Sequence, residues 1–356
     1  MKEEFSKILL KWFAGHHRPM PWKGVKNPYW IWLSEIILQQ TRVEQGLPYY
    51  ERFVKNYPKI ENLANAKEDE VMKHWQGLGY YSRARNLHAT AKYITNDLNG
   101  IFPKTHKEIL NLKGVGPYTA AAIASFAYNL PHAVVDGNVY RVLSRIFGIK
   151  TPIDSTAGKK EFAKLADILI NKKRASDYNQ AIMDFGATQC TPKLPNCKTC
   201  PFQKKCVSFQ NNWVGELPIK TKKIKKKERY FNYLLINSAD KTLLHKRTEK
   251  DIWQNLYEFP LIETLQPFDL KEVKKQPLWK TLFPNENIYI IIKISPPAKQ
   301  ILTHRKIIAT FIEISITQIP EKQPFLVIEK KDLKQYAFPK VITSFLADKS
   351  LYLELF

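Results

Sequence analysis

The chain has 356 residues, 44% of them hydrophobic, including 19 Phe and 17 Tyr, which is enough apolar material for two domains with cores of their own. It carries 56 basic residues against 33 acidic ones, a formal net charge of +23, and such an excess points to a polyanionic partner because binding phosphates releases condensed counterions. No apolar run reaches the ~20 residues of a membrane span, and Met1-Lys2-Glu3-Glu4-Phe5 opens a charged amphipathic segment without the apolar stretch of a secretory leader, so membrane and secreted classes are set aside and a cytoplasmic protein that meets nucleic acid is expected.

Up to about residue 207 the pattern is helical. Apolar residues recur at three-to-four spacing over Trp30–Arg42, Glu68–Gln76, Arg83–Leu98, Tyr118–Tyr128 and Asn138–Phe147. Gly77-Leu78-Gly79 and Asn99-Gly100 punctuate them. Between Lys220 and Arg229 the sequence KTKKIKKKER holds seven basic residues and one acid, the composition of an exposed linker. Beyond it Tyr230–Asn237, Ile288–Ile294 and Ile307–Ile316 read as strands, broken up by Pro260, Pro296-Pro297, Pro320 and Pro324. The expected organisation is a helical region over 1–219, a basic linker over 220–228 and an α+β domain over 229–356.

All four cysteines fall in one stretch, Cys190, Cys197, Cys200 and Cys206, spaced C-x6-C-x2-C-x5-C. Four soft thiolates complete a tetrahedral metal shell, and in an intracellular chain that outweighs a pair of disulfides. The spacing fits both a structural zinc and a 4Fe–4S cluster. Leu112-Lys113-Gly114-Val115-Gly116-Pro117-Tyr118 sets a Gly-x-Gly turn before a helix. Its free N–H groups and positive dipole end suit a phosphate oxygen.

Two carboxylates stand out. Glu35 sits in the apolar stretch Trp32-Leu33-Ser34-Glu35-Ile36-Ile37. If buried, its charged form is disfavoured and its pKa raised, as a general acid requires; on an outward face it is an ordinary surface acid. Asp136 ends the run Ala133-Val134-Val135 before Gly137-Asn138. It reads as a helix N-cap whose hydrogen bonds lower its pKa and keep it ionised. A raised Glu beside a depressed Asp is the pairing that cleaves glycosidic bonds.

SEIILQQT, GLGYYSRARNL, LKGVGPYTAAAIASFA and VDGNVYRVLSR, in this order and followed by the cysteine loop, resemble the adenine DNA glycosylase (MutY) family of helix-hairpin-helix DNA glycosylases. The resemblance covers roughly residues 5–207. More thinly, Trp253-Gln254-Asn255-Leu256-Tyr257-Glu258-Phe259-Pro260 resembles that family's MutT/Nudix-like C-terminal domain. What this implies is a mostly α catalytic region with a four-cysteine iron–sulfur loop, plus an α+β MutT/Nudix-like domain. It implies a monomeric enzyme of base excision repair that removes adenine opposite 8-oxoguanine from double-stranded DNA, with one 4Fe–4S cluster rather than zinc. By the same resemblance Glu35 protonates the leaving adenine, Asp136 stabilises the sugar cation, and Tyr118 and Asn138 support the pair. Gln40, Tyr80 and Leu38 meet the duplex at the lesion, and Lys113, Gly114 and Gly116 grip its backbone.

The bifunctional members carry a lysine nucleophile where this chain has Tyr118, which cannot form a Schiff base, so a monofunctional glycosylase is expected rather than an endonuclease III-like lyase or a non-catalytic damage sensor. The acidic Nudix signature is missing after Phe259, which leaves lesion reading as the role of the C-terminal domain. Where the family often reads Phe-Ser-His this chain has Leu302-Thr303-His304. Thr303 keeps the hydroxyl and His304 the imidazole, while Leu302 removes the ring. Trp12, Trp22, Trp30 and Trp32 are expected in the core, and His16, His17, His74, His88 and His106 at the surface or in helix packing.

Overall fold

The structure, a computed structural model of the chain, describes residues 2–16, 18–221, 226–321 and 323–348. Packing divides the chain into two units, Met1–Asn65 with Asn86–Lys223, and Ala66–Arg85 with Ile224–Phe356. Residues 66–85 thus group with the C-terminal part, which no local pattern announces.

The helices in chain order are α1 (Lys2–Ala14), α2 (Pro28–Leu38), α3 (Val43–Asn56), α4 (Ile60–Asn65), α5 (Glu68–Trp75), α6 (Ser82–Asp97), α7 (His106–Leu110), α8 (Pro117–Tyr128), α9 (Gly137–Phe147), α10 (Thr156–Leu169), α11 (Ala175–Thr188) and α12 (Val207–Gln210). Local chemistry fixes their ends. Asn27 caps α2 by accepting from Tyr29 N at 3.0 Å, with Pro28 in the first turn. Thr105 and Glu108 form a reciprocal capping box on α7. Helix α9 ends at Gly148, whose φ of +70° is left-handed and whose missing Cβ would lie 2.5 Å from Val207 Cγ1. The first unit's core gathers α1, α8, α9, α10 and α11 around Phe5, Leu9, Val142, Phe162 and Phe185.

The second unit is built on a mixed sheet of strands β1 (Lys227–Ser238), β2 (Lys241–Lys246), β3 (Tyr257–Glu258), β4 (Leu261–Thr264), β5 (Tyr289–Ile294), β6 (Ala298–Ile301), β7 (Arg305–Ile316) and β8 (Leu326–Glu329), with short helices α13 (Leu270–Lys274), α14 (Pro277–Leu282) and α15 (Lys340–Leu346). Its main path runs β3-β2-β1-β7-β5. The long central strands β1 and β7 are parallel, from Lys227 opposite Arg305 to Asn237 opposite Ser315. Their buried positions are mostly apolar, as a strand covered on both faces requires, with Asn232, Thr310 and Glu313 as buried polar exceptions.

The basic run is not wholly a linker. Residues 222–225 lie outside the described residues, but Lys227–Arg229 already belong to β1. The sheet accepts these charges because they are paired: Arg229 donates to Glu263 at 2.6 and 2.7 Å and to Asp251 at 2.9 Å, and Lys306 to Glu228 at 2.7 Å.

Deeper in this unit, Arg247 donates to both oxygens of Glu258 at 2.8 Å. Glu258 is 2% exposed, and the Tyr233 hydroxyl donates to it at 3.2 Å. Arg247→Met strands that carboxylate and is expected to lower the unit's stability by about 3–5 kcal/mol, whereas Arg247→Met with Glu258→Leu recovers most of it. Denaturant unfolding of the full chain reads this directly; a single variant within about 1 kcal/mol of the parent would show that the pair does not hold the unit together.

Candidate active site

The Gly-x-Gly turn joins α7 to α8. Gly114 has φ +81°, and a Cβ there would come 2.7 Å from Asn86 Cβ, so both backbone conformation and packing demand glycine. Thr90 Oγ1 donates to the carbonyl of Lys113 at 2.9 Å and pins the turn. Gly116 caps α8 without a side-chain bond and has open space where its Cβ would be. The Lys113 side chain is exposed. This leaves the start of α8 free to meet an anion.

Three helices bring the candidate chemistry to one cavity of about 1410 Å³, lined by Glu35 of α2, Tyr118 of α8, and Asp136 and Asn138 at the start of α9. Glu35 is 8% exposed. Burial is the main cause that pushes its carboxyl up to about 7, with Asp136 adding to the shift and hydrogen bonding from Tyr118 opposing it. The Tyr118 hydroxyl also lies 3.5 Å from Met183 Sδ.

Asp136 is the expected N-cap. Its Oδ1 accepts from Val139 N at 2.8 Å and its Oδ2 from Asn138 Nδ2 at 2.9 Å. The expectation of a lowered pKa is corrected: these bonds and the Arg141 charge do favour the carboxylate, but desolvation is larger and the net direction is upward.

Leu38 and Gln40 line the same cavity. The predicted helix Trp30–Arg42 stops at Leu38, because Gln40 turns into the left-handed region at φ +55°. Other lining residues escaped sequence reasoning. Trp22, expected in the core, lines the cavity and packs edge-on to Tyr50 at 5.2 Å. Lys23 reaches buried Asp184 at 2.7 and 2.9 Å across 161 residues of sequence, and both line the cavity. No short motif could have paired them.

In the second unit, Tyr80 is 47% exposed with φ +48°, and its hydroxyl lies 2.8 Å from Thr303 Oγ1. His304 is exposed at the β6–β7 turn, where its carbonyl accepts from Lys227 N at 3.2 Å. Here the structure joins two residues that the sequence left 223 positions apart.

The four cysteines are free thiols lining one small cavity with Arg145. Among the described residues no group of three or more His, Cys, Asp or Glu side chains is arranged to hold a metal ion, so the thiols share a cavity without forming a closed ligand shell. Their number, type and placement around it fit a soft-metal group. Arg145 donates to the carbonyls of Thr191 and Pro192 at 2.7 and 3.2 Å and approaches Cys190 Sγ at 3.5 Å. Arg141, whose part the sequence did not reveal, donates to Cys190 O at 2.8 Å and to Asn138 Oδ1 at 2.7 Å. The cysteine loop and the catalytic candidates of α9 therefore share one guanidinium.

Residues 33–167 match the HhH-GPD superfamily of base excision DNA repair proteins, and residues 232–348 match the NUDIX domain family. The adenine DNA glycosylase of Buchnera aphidicola subsp. Baizongia pistaciae is 38% identical over 72% of this chain and 73% of that protein. Among solved structures, a thermostable thymine-DNA glycosylase superposes with a TM-score of 0.55 and 31% identity over 58% of this chain and 96% of that one. A non-covalent endonuclease III–DNA complex superposes with a TM-score of 0.51 at 22% identity, over 58% and 94% respectively, which speaks to fold.

Glu35 leaves a signature in stability. A carboxyl carried from its ordinary 4.5 up to about 7 in the folded state contributes stability that is complete below the unfolded value and lost as pH rises through 7, on the order of 3 kcal/mol. Glu35→Gln is therefore expected to melt higher than the parent at pH 8 and together with it near pH 4.5. Equal melting temperatures at both pH values would mean that the carboxyl is solvated.

Proposed function

This chain belongs to the adenine DNA glycosylase family, and on that premise we propose that its substrate is adenine mispaired with 8-oxoguanine, or with guanine, in duplex DNA. The chain is a DNA N-glycosylase of base excision repair, as its relatives and its helix-hairpin-helix domain establish. The observation that supports glycosidic cleavage at this site is the buried Glu35 sharing one cavity with Tyr118 and Asp136, while the opposite base is read from the resemblance to the family.

In this mechanism the protonated Glu35 carboxyl gives its proton to the departing adenine. The C–N bond breaks with its electron pair going to the base. The Asp136 carboxylate stabilises the resulting oxocarbenium-like sugar, and water adds to it, its proton passing to the now-ionised Glu35, to leave an abasic site. Tyr118 tempers Glu35, and Asn138 fixes the Asp136 carboxylate at 2.9 Å. Tyr118 brings no amine, so the enzyme is monofunctional. Gln40, Tyr80 and Leu38 enter the duplex near the lesion, where unstacking costs a few kcal/mol. Lys113, Gly114 and Gly116 hold a phosphate, and Thr303 and His304 read the lesion strand.

Cys190, Cys197, Cys200 and Cys206 would hold one 4Fe–4S cluster, which would brace the loop carrying Lys198, Lys204 and Lys205. We read 1–219 as the glycosylase domain and the part from β1 onward as the lesion-reading domain of a monomer, with the basic linker between them ending before Lys227. We read its place as on DNA, in a bacterial cytoplasm.

The direct test is base release from a duplex with adenine opposite 8-oxoguanine, half of each sample being treated with alkali. Strand cleavage only after alkali is expected; cleavage without alkali would revive the endonuclease III-like lyase, and none at all from protein that binds the duplex would favour a non-catalytic sensor. The single-turnover rate is expected to fall about tenfold for each pH step above 7, as the Glu35 proton is lost, and Glu35→Gln to abolish release at every pH. Purified anaerobically, the protein is expected to be brown with broad absorbance at roughly 400 nm; a colourless zinc protein would overturn the cluster.

A further inference from the structure

We infer that Arg83 is a positioning residue for Tyr80, holding its exposed ring in the pose from which it enters the duplex; this rests on reading Tyr80 as an inserting residue. The turn after α5 is locally costly. Gly77, Gly79 and Tyr80 have φ of +95°, +79° and +48°, and the tyrosine gains nothing from glycine's freedom. A ring 47% exposed to solvent contributes little burial to offset that strain.

The groups around it supply the hold. Arg83 is 7% exposed. Its Nη2 donates to the carbonyl of Gly79 at 3.1 Å, the same oxygen that accepts from Trp75 Nε1 at 3.1 Å. Its backbone N donates to the carbonyl of Tyr80 at 2.9 Å. Its Cζ stands 5.1 Å from the Trp75 ring and 5.5 Å from the Tyr80 ring. A delocalised guanidinium can serve two aromatic rings and a carbonyl at once, and a lysine ammonium cannot do so with the same geometry. Burial draws Arg83 down to about 10, so the cation persists at neutral pH. With the hydroxyl at 2.8 Å from Thr303 Oγ1, the ring is fixed at its face and at its tip. An aromatic ordered before binding does not lose that freedom on meeting DNA.

The test uses the full-length protein and a duplex in which 8-oxoguanine faces a 2′-fluoro-adenosine that resists hydrolysis, with 2-aminopurine beside the 8-oxoguanine. Binding of the parent is expected to raise 2-aminopurine fluorescence as the step unstacks. Arg83→Met is expected to cut that rise by half or more and to weaken binding about tenfold, the scale of a desolvated cation–π contact. Arg83→Lys is expected to rescue only part, and it carries the comparison if Arg83→Met fails to fold in a thermal melt. Tyr80→Ala should flatten the rise, and adding Arg83→Met to it should cost nothing further. A parent-like rise in Arg83→Met or Arg83→Lys, or losses that add in the double variant, would overturn the positioning role while leaving Tyr80's intact. A parent-like rise in Tyr80→Ala would instead overturn the reading of Tyr80 on which it rests.

Discussion

Arg141 donates from one guanidinium to Cys190 O at 2.8 Å, Asn138 Oδ1 at 2.7 Å, Gly186 O at 2.6 Å and Gly137 O at 3.3 Å. Two segments far apart in sequence, the start of α9 and the stretch from the last turn of α11 to the first cysteine, are thereby fixed about one buried cation. The close approach that makes this possible depends on Gly186, where a Cβ would lie 2.7 Å from Asn138 Cβ. Asn138 in turn holds Asp136. The orientation of the candidate catalytic carboxylate therefore depends on the same charge that anchors the cysteine loop, and a side chain without the planar five-donor fork could not satisfy these acceptors together.

Around that anchor the cavity separates two carboxyls by environment. Glu35 sits on α2 among its buried apolar residues, and desolvation outweighs the hydrogen bonding from Tyr118 that favours its charge. Asp136 is desolvated as well, yet two hydrogen bonds from its own helix start and the nearby Arg141 restrain the rise. Burying Glu35 above its ordinary range reduces stability at neutral pH, the usual relation between a tuned site and the fold that holds it.

Left-handed backbone recurs where contact with DNA is proposed. Gln40, at φ +55°, ends α2 on the rim of the cavity, and Tyr80, at φ +48°, follows two glycines in the second unit. Neither residue type favours that region, and at Tyr80 the Thr303 hydroxyl and the Arg83 guanidinium hold the ring.

The sequence by itself determined the elements whose signals are local. Asp136 marks a helix start through a cap that needs only neighbouring residues. The predicted helices at α5, α6, α8 and α9 and strands at β1, β5 and β7 lie within a few residues of those observed. Gly114 was legible because its turn demands a positive φ, and Glu35 and Asp136 because of the motifs around them. Only the tertiary structure decided the rest. The direction of the Asp136 shift is set by burial, which no run of residues displays. The Lys23–Asp184 pair, the Tyr80–Thr303 contact and the grouping of residues 66–85 with the C-terminal sheet all join segments distant in sequence. Such contacts form through packing of whole elements rather than through periodicity, capping or turn chemistry, and those were the only signals the linear chain carried.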